Sequence, residues 1–216
     1  MKRNDFFSKC LGKDVFILSP SDHVFGYIRY SNALYIYKTD NIYVINELIK
    51  KGFRLVITDI QLERKLSGEV LPLCIINKSV GTYIILKVAE ECFEFDQFHM
   101  DYDIALILAN DLKKEWVKNY LDGSYGDHIF QQGLGFLCAK VKDDICIIDL
   151  IGVDKQQRNK GLGKQLVMEF LNYYSFDGYK RAIVNTQLNN LPSLKLYAAM
   201  GFNQINSFNY VLHLNT

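Results

Sequence analysis

The chain has 216 residues, 49% hydrophobic and 23% charged, an ordinary globular composition with enough length for a sizeable core in one large domain or two small ones. Twenty-five basic and twenty-four acidic residues leave a net charge of +1 without long runs, which argues against a nucleic-acid protein, where a basic patch or stripe is expected. Its three prolines argue against a long disordered segment. Lys9, Lys13 and Asp14 interrupt any apolar N-terminal stretch, and the longest clean central run, 104–109, is too short for a bilayer, so a soluble cytoplasmic protein is expected. The five cysteines are odd in number, widely spaced and without a C-x-x-C pair. Cys10, Cys74, Cys92, Cys138 and Cys146 therefore read as free thiols, with neither a disulfide framework nor a metal site expected.

In chain order, the first hundred residues are rich in β-branched and aromatic side chains. Val15–Leu18, Ala33–Tyr37, Arg54–Thr58 and Thr82–Lys87 are predicted strands. Between them, 41–51 has a capping Asp40 or Asn41 and Gly52 just past its end, which predicts a helix. The acidic, aromatic segment 90–100 is the predicted junction between halves, and no catalytic motif precedes it. Helical stretches follow over 103–120, then the turn-forming Asp122-Gly-Ser-Tyr-Gly-Asp127. The runs 135–141 and 145–153 predict a β-hairpin whose second strand is almost wholly apolar, as in a strand covered on both faces. Beyond it, Leu162, Leu166, Val167, Phe170, Leu171 and Tyr174 share one helical face. A strand over 181–186 precedes a second helix, capped by Asn190, with Pro192 in its first turn and Gly201 at its end. Two terminal strands, 202–205 and 208–214, complete the chain. The whole predicts a mixed α/β fold with a central, mostly antiparallel sheet flanked by helices. The strand-rich N-terminal half either forms a small domain or extends that sheet.

The segment that carries chemistry is Val153-Asp-Lys-Gln-Gln-Arg-Asn-Lys-Gly-Leu-Gly-Lys164, between a buried strand and a helix. A glycine-bearing turn at a helix N-terminus leaves backbone N–H groups free and places the positive end of the helix dipole at an anion. Gly161 and Gly163 allow a ligand close to the backbone, while Arg158, Lys160 and Lys164 add positive charge. This predicts a phosphate or pyrophosphate cradle. The spacing fits neither G-x-x-x-x-G-K-[ST] nor G-x-G-x-x-G.

Arg158-Asn-Lys-Gly161-Leu-Gly163 resembles the [RQ]-x-x-G-x-[GA] acetyl-CoA signature of the GNAT superfamily of N-acetyltransferases. Asn190-Leu-Pro-Ser-Leu-Lys-Leu-Tyr197-Ala-Ala-Met-Gly201-Phe202 is similar to that family's N-x(5)-L-Y-x(3)-G-F helix and strand. Asn159 stands where glycine is common, a departure expected to require only an unstrained backbone. The resemblance implies a GNAT-like domain over 101–216, with 1–100 on the acceptor side. It implies acetyl-CoA as co-substrate, its pyrophosphate on the backbone of Arg158, Asn159, Lys160, Gly161, Leu162, Gly163 and Lys164. Its pantetheine arm would lie along the strand through Ile151 and Val153, with Gly152 marking a bulge and Asn190 contacting the cofactor. Tyr197 would be the general acid that protonates the departing thiolate, or otherwise a packed aromatic.

A general base is less clear. Asp149 is the charged residue inside the buried strand, and alternation places it on one face with Ile151 and Val153. A buried carboxylate can accept a proton if its pKa is raised, or it can be structural. Asp127 and His128 are weaker candidates, and family members often rely on water.

Asn4-Asp-Phe-Phe7, Trp116-x-x-x-Tyr120 and Ser207-Phe-Asn-Tyr-Val-Leu-His213 are similar to amino-sugar N-acetyltransferases of the dTDP-fucosamine type, although Ser8 stands where glycine is usual. That resemblance implies a nucleotide-linked 4-amino sugar as acceptor. Two rivals stay open: another amine (polyamine, amino acid or protein N-terminus), or a non-catalytic acetyl-CoA-binding module. The expected partner is a small-molecule amine, with no nucleic acid and no membrane; a homodimer is left open.

Overall fold

The computed structural model describes residues 1–19, 22, 30–68 and 81–216; Cys74 lies outside them. The first elements are β1 (Lys2–Arg3), α1 (Asp5–Leu11), β2 (Asp14–Leu18), β3 (Ala33–Thr39), α2 (Ile42–Lys50) and β4 (Arg54–Lys65). Two helices follow, α3 (Thr82–Glu91) and α4 (Leu106–Leu121), then β5 (His128–Gln132), β6 (Gly135–Lys142) and β7 (Ile145–Val153). A 3₁₀ turn at Lys155–Gln157 leads to α5 (Leu162–Phe176), β8 (Arg181–Gln187), α6 (Leu191–Ala199) and β9 (Gln204–Asn215).

Among the described residues, the strands form one nine-stranded sheet in the order β1-β2-β3-β9-β4-β8-β7-β6-β5. Only β2·β3 and β7·β8 are parallel; every other neighbour pair is antiparallel. The C-terminal strand β9 lies between β3 and β4, so the N-terminal strands extend the sheet instead of standing apart from it.

Helices cover both faces. On one, Leu166, Val167, Phe170 and Leu171 of α5 pack with Leu137, Ile148 and Val184 of the sheet. On the other, α3 and α4 bury Ile85, Val88, Ala89 and Val117 against Phe136, Cys138 and Leu150. Burial of roughly 1.5–3 kcal/mol per large apolar side chain supplies the driving force.

Four expectations are corrected. The segment Thr82–Lys87 is helical, the first part of α3. Its β-branched residues favour a strand locally, but Ile85, Val88, Ala89 and Cys92 recur at helical spacing and are buried. Tertiary packing of that stripe overrides propensity. The two terminal strands are one, β9, and the interruption at Asn206 is absorbed as a register shift opposite Gln61 and Leu62.

Gly152 marks no bulge, since Phe136 pairs with it in regular register. A Cβ there would lie 2.6 Å from Cys92 Sγ and 2.6 Å from the Phe136 ring, so glycine is required by packing. The bulge lies three residues earlier, where Cys138 pairs with Leu150 but Ala139 pairs with Ile148, leaving Asp149 without a partner. The alternation resets there. Ile151 and Val153 face the α5 side of the sheet, while the Asp149 carboxylate reaches Trp116 and Tyr120 of α4 on the other. The three residues do not share a face.

Gly152→Ala is expected to overpack the Phe136–Cys92 contact and destabilise the fold by roughly 1–3 kcal/mol. Thermal melts should drop by roughly 2–4 °C for each kcal/mol at this chain length. An unchanged melt would show that the neighbours move aside at no cost.

Candidate active site

The central sheet opens where β7 and β8 part. They pair only from Ile145 to Ile148 against Arg181 to Val184. Past that point β7 stays paired with β6 as far as Val153, and β8 stays paired with β4 as far as Gln187. The β7 backbone groups that face β8 beyond Ile148 have no ladder partner, and apart from Val153 O, which accepts from Arg158, they are available to a ligand. The bulge at Asp149 bends the strand at this point, as an extra residue in one strand does.

Asp149 is fixed there by three donors. Trp116 Nε1 donates to it at 3.1 Å and Tyr120 OH at 2.9 Å. Lys140 Nζ completes the set at 2.5 Å, and the Asp149 side chain is only 10% exposed. Burial, reinforced by the Asp149 charge, pushes the Tyr120 phenol well above its ordinary value, so it remains a donor.

The turn after β7 is shaped by two left-handed residues, Asn159 at φ +63° and Gly161 at φ +85°. Asn159 thus occupies a conformation that favours glycine, and asparagine is among the few residues that tolerate it. Gly161 is the N-cap of α5 and carries no side chain to cap the first-turn N–H groups. The space in front of it is open, with nothing within 4 Å of a notional Cβ. Gly163 has a different reason: a Cβ there would press on Leu196 of α6 at 3.3 Å.

Arg158 departs from expectation. Its guanidinium is engaged within the protein. It donates to Cys92 O at 2.7 Å and to Val153 O at 3.4 Å, and it pairs with Glu94 at 3.5 Å. Lys155 also pairs with Glu94, at 3.1 Å. Arg158 therefore clasps the turn to the segment after α3. The anion-attracting groups left at α5 are the uncapped N–H groups, the helix dipole and the exposed Lys164.

The β7–β8 opening, the turn and α6 border one cavity of about 920 Å³. Asp149, Ile151, Val153, Arg158, Asn159, Gly161, Leu162, Gly163, Lys164, Asn190 and Tyr197 all line it. Lys160 does not; its ammonium turns to Gln157 Oε1 at 3.3 Å. Asn190 caps α6, its side chain accepting from Ser193 N at 3.2 Å. About two turns on, Tyr197 is buried, its ring edge-on to Phe202 at 5.7 Å. Burial alone raises its phenol well above the ordinary value, so it stays protonated. Asp127 and His128 lie outside the lining: Asp127 accepts from Val141 N, and His128 stacks on Tyr173.

Further lining comes from the N-terminal half and β9. Lys38, Asp59 and Gln61 from β3 and β4, Ser207 and Asn209 from β9, and the segment 92–98 line the cavity. That segment is the acidic, aromatic stretch predicted as a junction. Two carboxylates pin it. Asp96 accepts from Phe98 N at 3.0 Å and lies 2.6 Å from His99 Nδ1, with Lys113 Nζ 3.6 Å away. Asp101 lies 2.7 Å from His213 Nδ1 and accepts from Asn215 Nδ2 at 3.2 Å, tying the segment to β9. Burial opposes the charged form of Asp96, but the Lys113 charge and the His99 hydrogen bond outweigh it and hold the carboxyl at about 2.

Residues 82–202, more than half of the chain, match the acetyltransferase (GNAT) family, and the chain belongs to that family. The spore coat polysaccharide biosynthesis protein SpsD of Bacillus subtilis (strain 168) is 26% identical over 133 residues, 60% of this chain and 46% of that protein. The chain thus spans less than half the length of this curated relative. A GCN5-related N-acetyltransferase from Sphaerobacter thermophilus shares the fold with a TM-score of 0.56 at 11% identity, over 85% of this chain and 60% of that one. A conserved protein of unknown function from Staphylococcus epidermidis ATCC 12228 does so with a TM-score of 0.57 at 14% identity, over 86% and 73%. Among the described residues, no helix is long and apolar enough to cross a membrane, and no cluster of three or more His, Cys, Asp or Glu could hold a metal ion.

The Asp96 carboxyl sets a pH dependence. Its folded value of about 2 lies below the unfolded one, so its contribution is present above roughly pH 4 and is lost as pH falls toward roughly 2. Asp96→Asn should flatten the fall in melting temperature across that window and lower the melt at pH 7. An identical acid profile in the variant would contradict this role.

Proposed function

We propose that this chain transfers an acetyl group from acetyl-CoA to a primary amine, with an amino sugar on a nucleotide carrier as the acceptor. One observation carries the reading: an uncapped helix N-terminus, an unpaired strand edge and the Tyr197 side chain all border a single cavity. In this reading acetyl-CoA supplies the activated acetyl thioester. Its pyrophosphate sits on the first-turn N–H groups of α5, with Lys164 beside it, and its amide-bearing arm pairs with the free edge of β7 from Ile151 to Val153. The open space at Gly161 and the missing ladder partners suit such a group.

The acceptor amine attacks the thioester carbonyl carbon, forming a C–N bond as the C–S bond breaks. The departing sulfur takes a proton from the Tyr197 hydroxyl, which is regained from the solvent. The proton lost by the amine goes to water. Asp149 suits the structural of its two roles: its carboxylate already accepts from Trp116, Tyr120 and Lys140. Taking up a substrate proton there would break the Lys140 ion pair and leave a half-buried ammonium without its counter-charge.

For the acceptor, the support is threefold. The sequence resembles amino-sugar acetyltransferases at its two ends and in α4, SpsD is named for polysaccharide biosynthesis, and residues 1–100 contribute to the cavity wall opposite the turn. The N-terminal region is thus assigned the acceptor side. Turnover on polyamines or peptides, with none on nucleotide-linked amino sugars, would move the assignment to another amine.

Gly161→Val forces a β-branched side chain into a left-handed backbone and into the open space before α5. Acetyl-CoA affinity is expected to fall at least about tenfold, on the order of 1.4 kcal/mol. Calorimetry showing unchanged affinity in a folded variant would remove the cofactor assignment.

Tyr197→Phe keeps the ring and its contact with Phe202 and deletes only the proton donor. Cofactor affinity should change little while kcat falls by roughly 10²–10⁴. Steady-state acetyl transfer, with a melt to confirm folding, makes the measurement. Full activity in the variant would leave Tyr197 as a packing residue.

A further inference from the structure

The side chain of Lys113 on α4 is only 6% exposed, and it lines the cavity. Its ammonium lies 5.1 Å from the centroids of both the Phe93 and Trp116 rings. Its nearest carboxylate is Asp96, at 3.6 Å, beyond hydrogen-bond reach. Asp96 is already engaged more closely by His99 and by Phe98 N. Two rings and a distant carboxylate stabilise the charge of an ammonium, but none of them accepts its protons at short range. Among the described residues, no hydrogen bond satisfies any of its three donors. Such a group is costly to keep in an apolar wall unless something else takes those donors.

The other charges on this side of the cavity are matched within the protein. Lys38 meets Asp59 at 2.7 Å, Asp149 meets Lys140, and Glu94 meets Lys155. Among the described residues, Lys113 is the buried cation of this lining with donors to spare, since Lys164 and Lys195 are exposed. Its neighbours Phe93, Asp96 and Trp116 belong to the 92–98 segment and α4, not to the first turn of α5 whose N–H groups the cofactor pyrophosphate would take.

We propose that Lys113 is the residue that recognises an anionic oxygen on the acceptor, and so selects anionic amines over neutral or cationic ones. This rests on the acetyl-transfer reading above and deepens it. The oxygen is a phosphate of the nucleotide carrier or a carboxylate on the sugar ring, two sources of one chemistry. Ion pairing of an ammonium with an oxyanion is charge-assisted, so it is shorter and stronger than a neutral hydrogen bond. A polyamine acceptor would instead meet a buried like charge.

The test is calorimetric titration of the full chain presaturated with coenzyme A, so that the α5 turn is occupied. The probes are thymidine diphosphate, a hexose 1-phosphate, the methyl glycoside of a uronic acid, and the neutral methyl glycoside of the corresponding hexose. Wild type should bind at least one anionic probe and discriminate against the neutral glycoside by tenfold or more. Lys113→Met keeps the aliphatic stem between the two rings and should abolish that discrimination, while Lys113→Arg should retain part of it. Phosphate probes alone responding to the substitution identify the carrier, and the uronate alone identifies a ring carboxylate. Equal anion binding by wild type and a folded Lys113→Met, or equal binding of the neutral glycoside by wild type, overturns the proposal. If coenzyme A itself fails to bind, the acetyl-transfer reading falls; the same titrations without coenzyme A then decide the role of Lys113 by its substitution alone.

Discussion

The parting of β7 and β8 after four paired residues is the constraint on which the site depends. Breaking a parallel ladder in the middle of a sheet leaves backbone donors and acceptors unpaired, at a cost comparable to lost hydrogen bonds. The sheet tolerates this because each strand keeps its other neighbour for its full length, β6 for β7 and β4 for β8. The bulge at Asp149 sits where the pairing ends, and its carboxylate is bound by side chains from α4 and β6. Trp116 and Tyr120 are thereby more than core aromatics. They hold the bend that opens the cavity.

From that opening the positions of the other groups follow. The strand that departs from the sheet delivers the chain to the turn at Arg158, whose guanidinium binds back to Val153 O and Cys92 O. The turn cannot move without moving the segment that begins at Cys92, and that segment continues through Asp96 and Asp101 to α4 and β9. The α5 turn and the 92–98 segment of the cavity wall are therefore tied together. Sequence separation hides this, since Cys92 and Arg158 lie 66 positions apart.

The legible and illegible parts of the sequence divide along the same line. Local signals sufficed for the hairpin β6–β7, the stripe of α5, the Asn190 cap and the glycine turn, because each is written in residues a few positions apart. The helix α3 was illegible by propensity, as its β-branched residues favour strands, although the Ile85-Val88-Ala89-Cys92 spacing carried the signal. A bulge cannot be read from alternation alone, because it is the partner strand that fixes which residue is extra; Asp149 was therefore assigned to the wrong face. The role of the 92–98 segment was hidden for a similar reason. Its acidic residues acquire meaning only from Lys113, His99 and Arg158, which the fold brings to them.

The burial of Tyr197 bears on whether a phenol can serve as an acid here. In water a phenol has a pKa of about 10 and a thiol about 8.5, so proton transfer from one to the other is uphill by roughly 2 kcal/mol. Burial raises the phenol further, which taken alone makes it a worse donor. The relevant quantity is the difference between the two groups in one environment. A thiolate leaving into the same apolar cavity wall is destabilised by the same desolvation. The two penalties largely offset, and what remains is set by distance and alignment between hydroxyl and sulfur. For the proposed acid role a high phenol pKa then has its own advantage: Tyr197 keeps its proton at neutral and mildly alkaline pH.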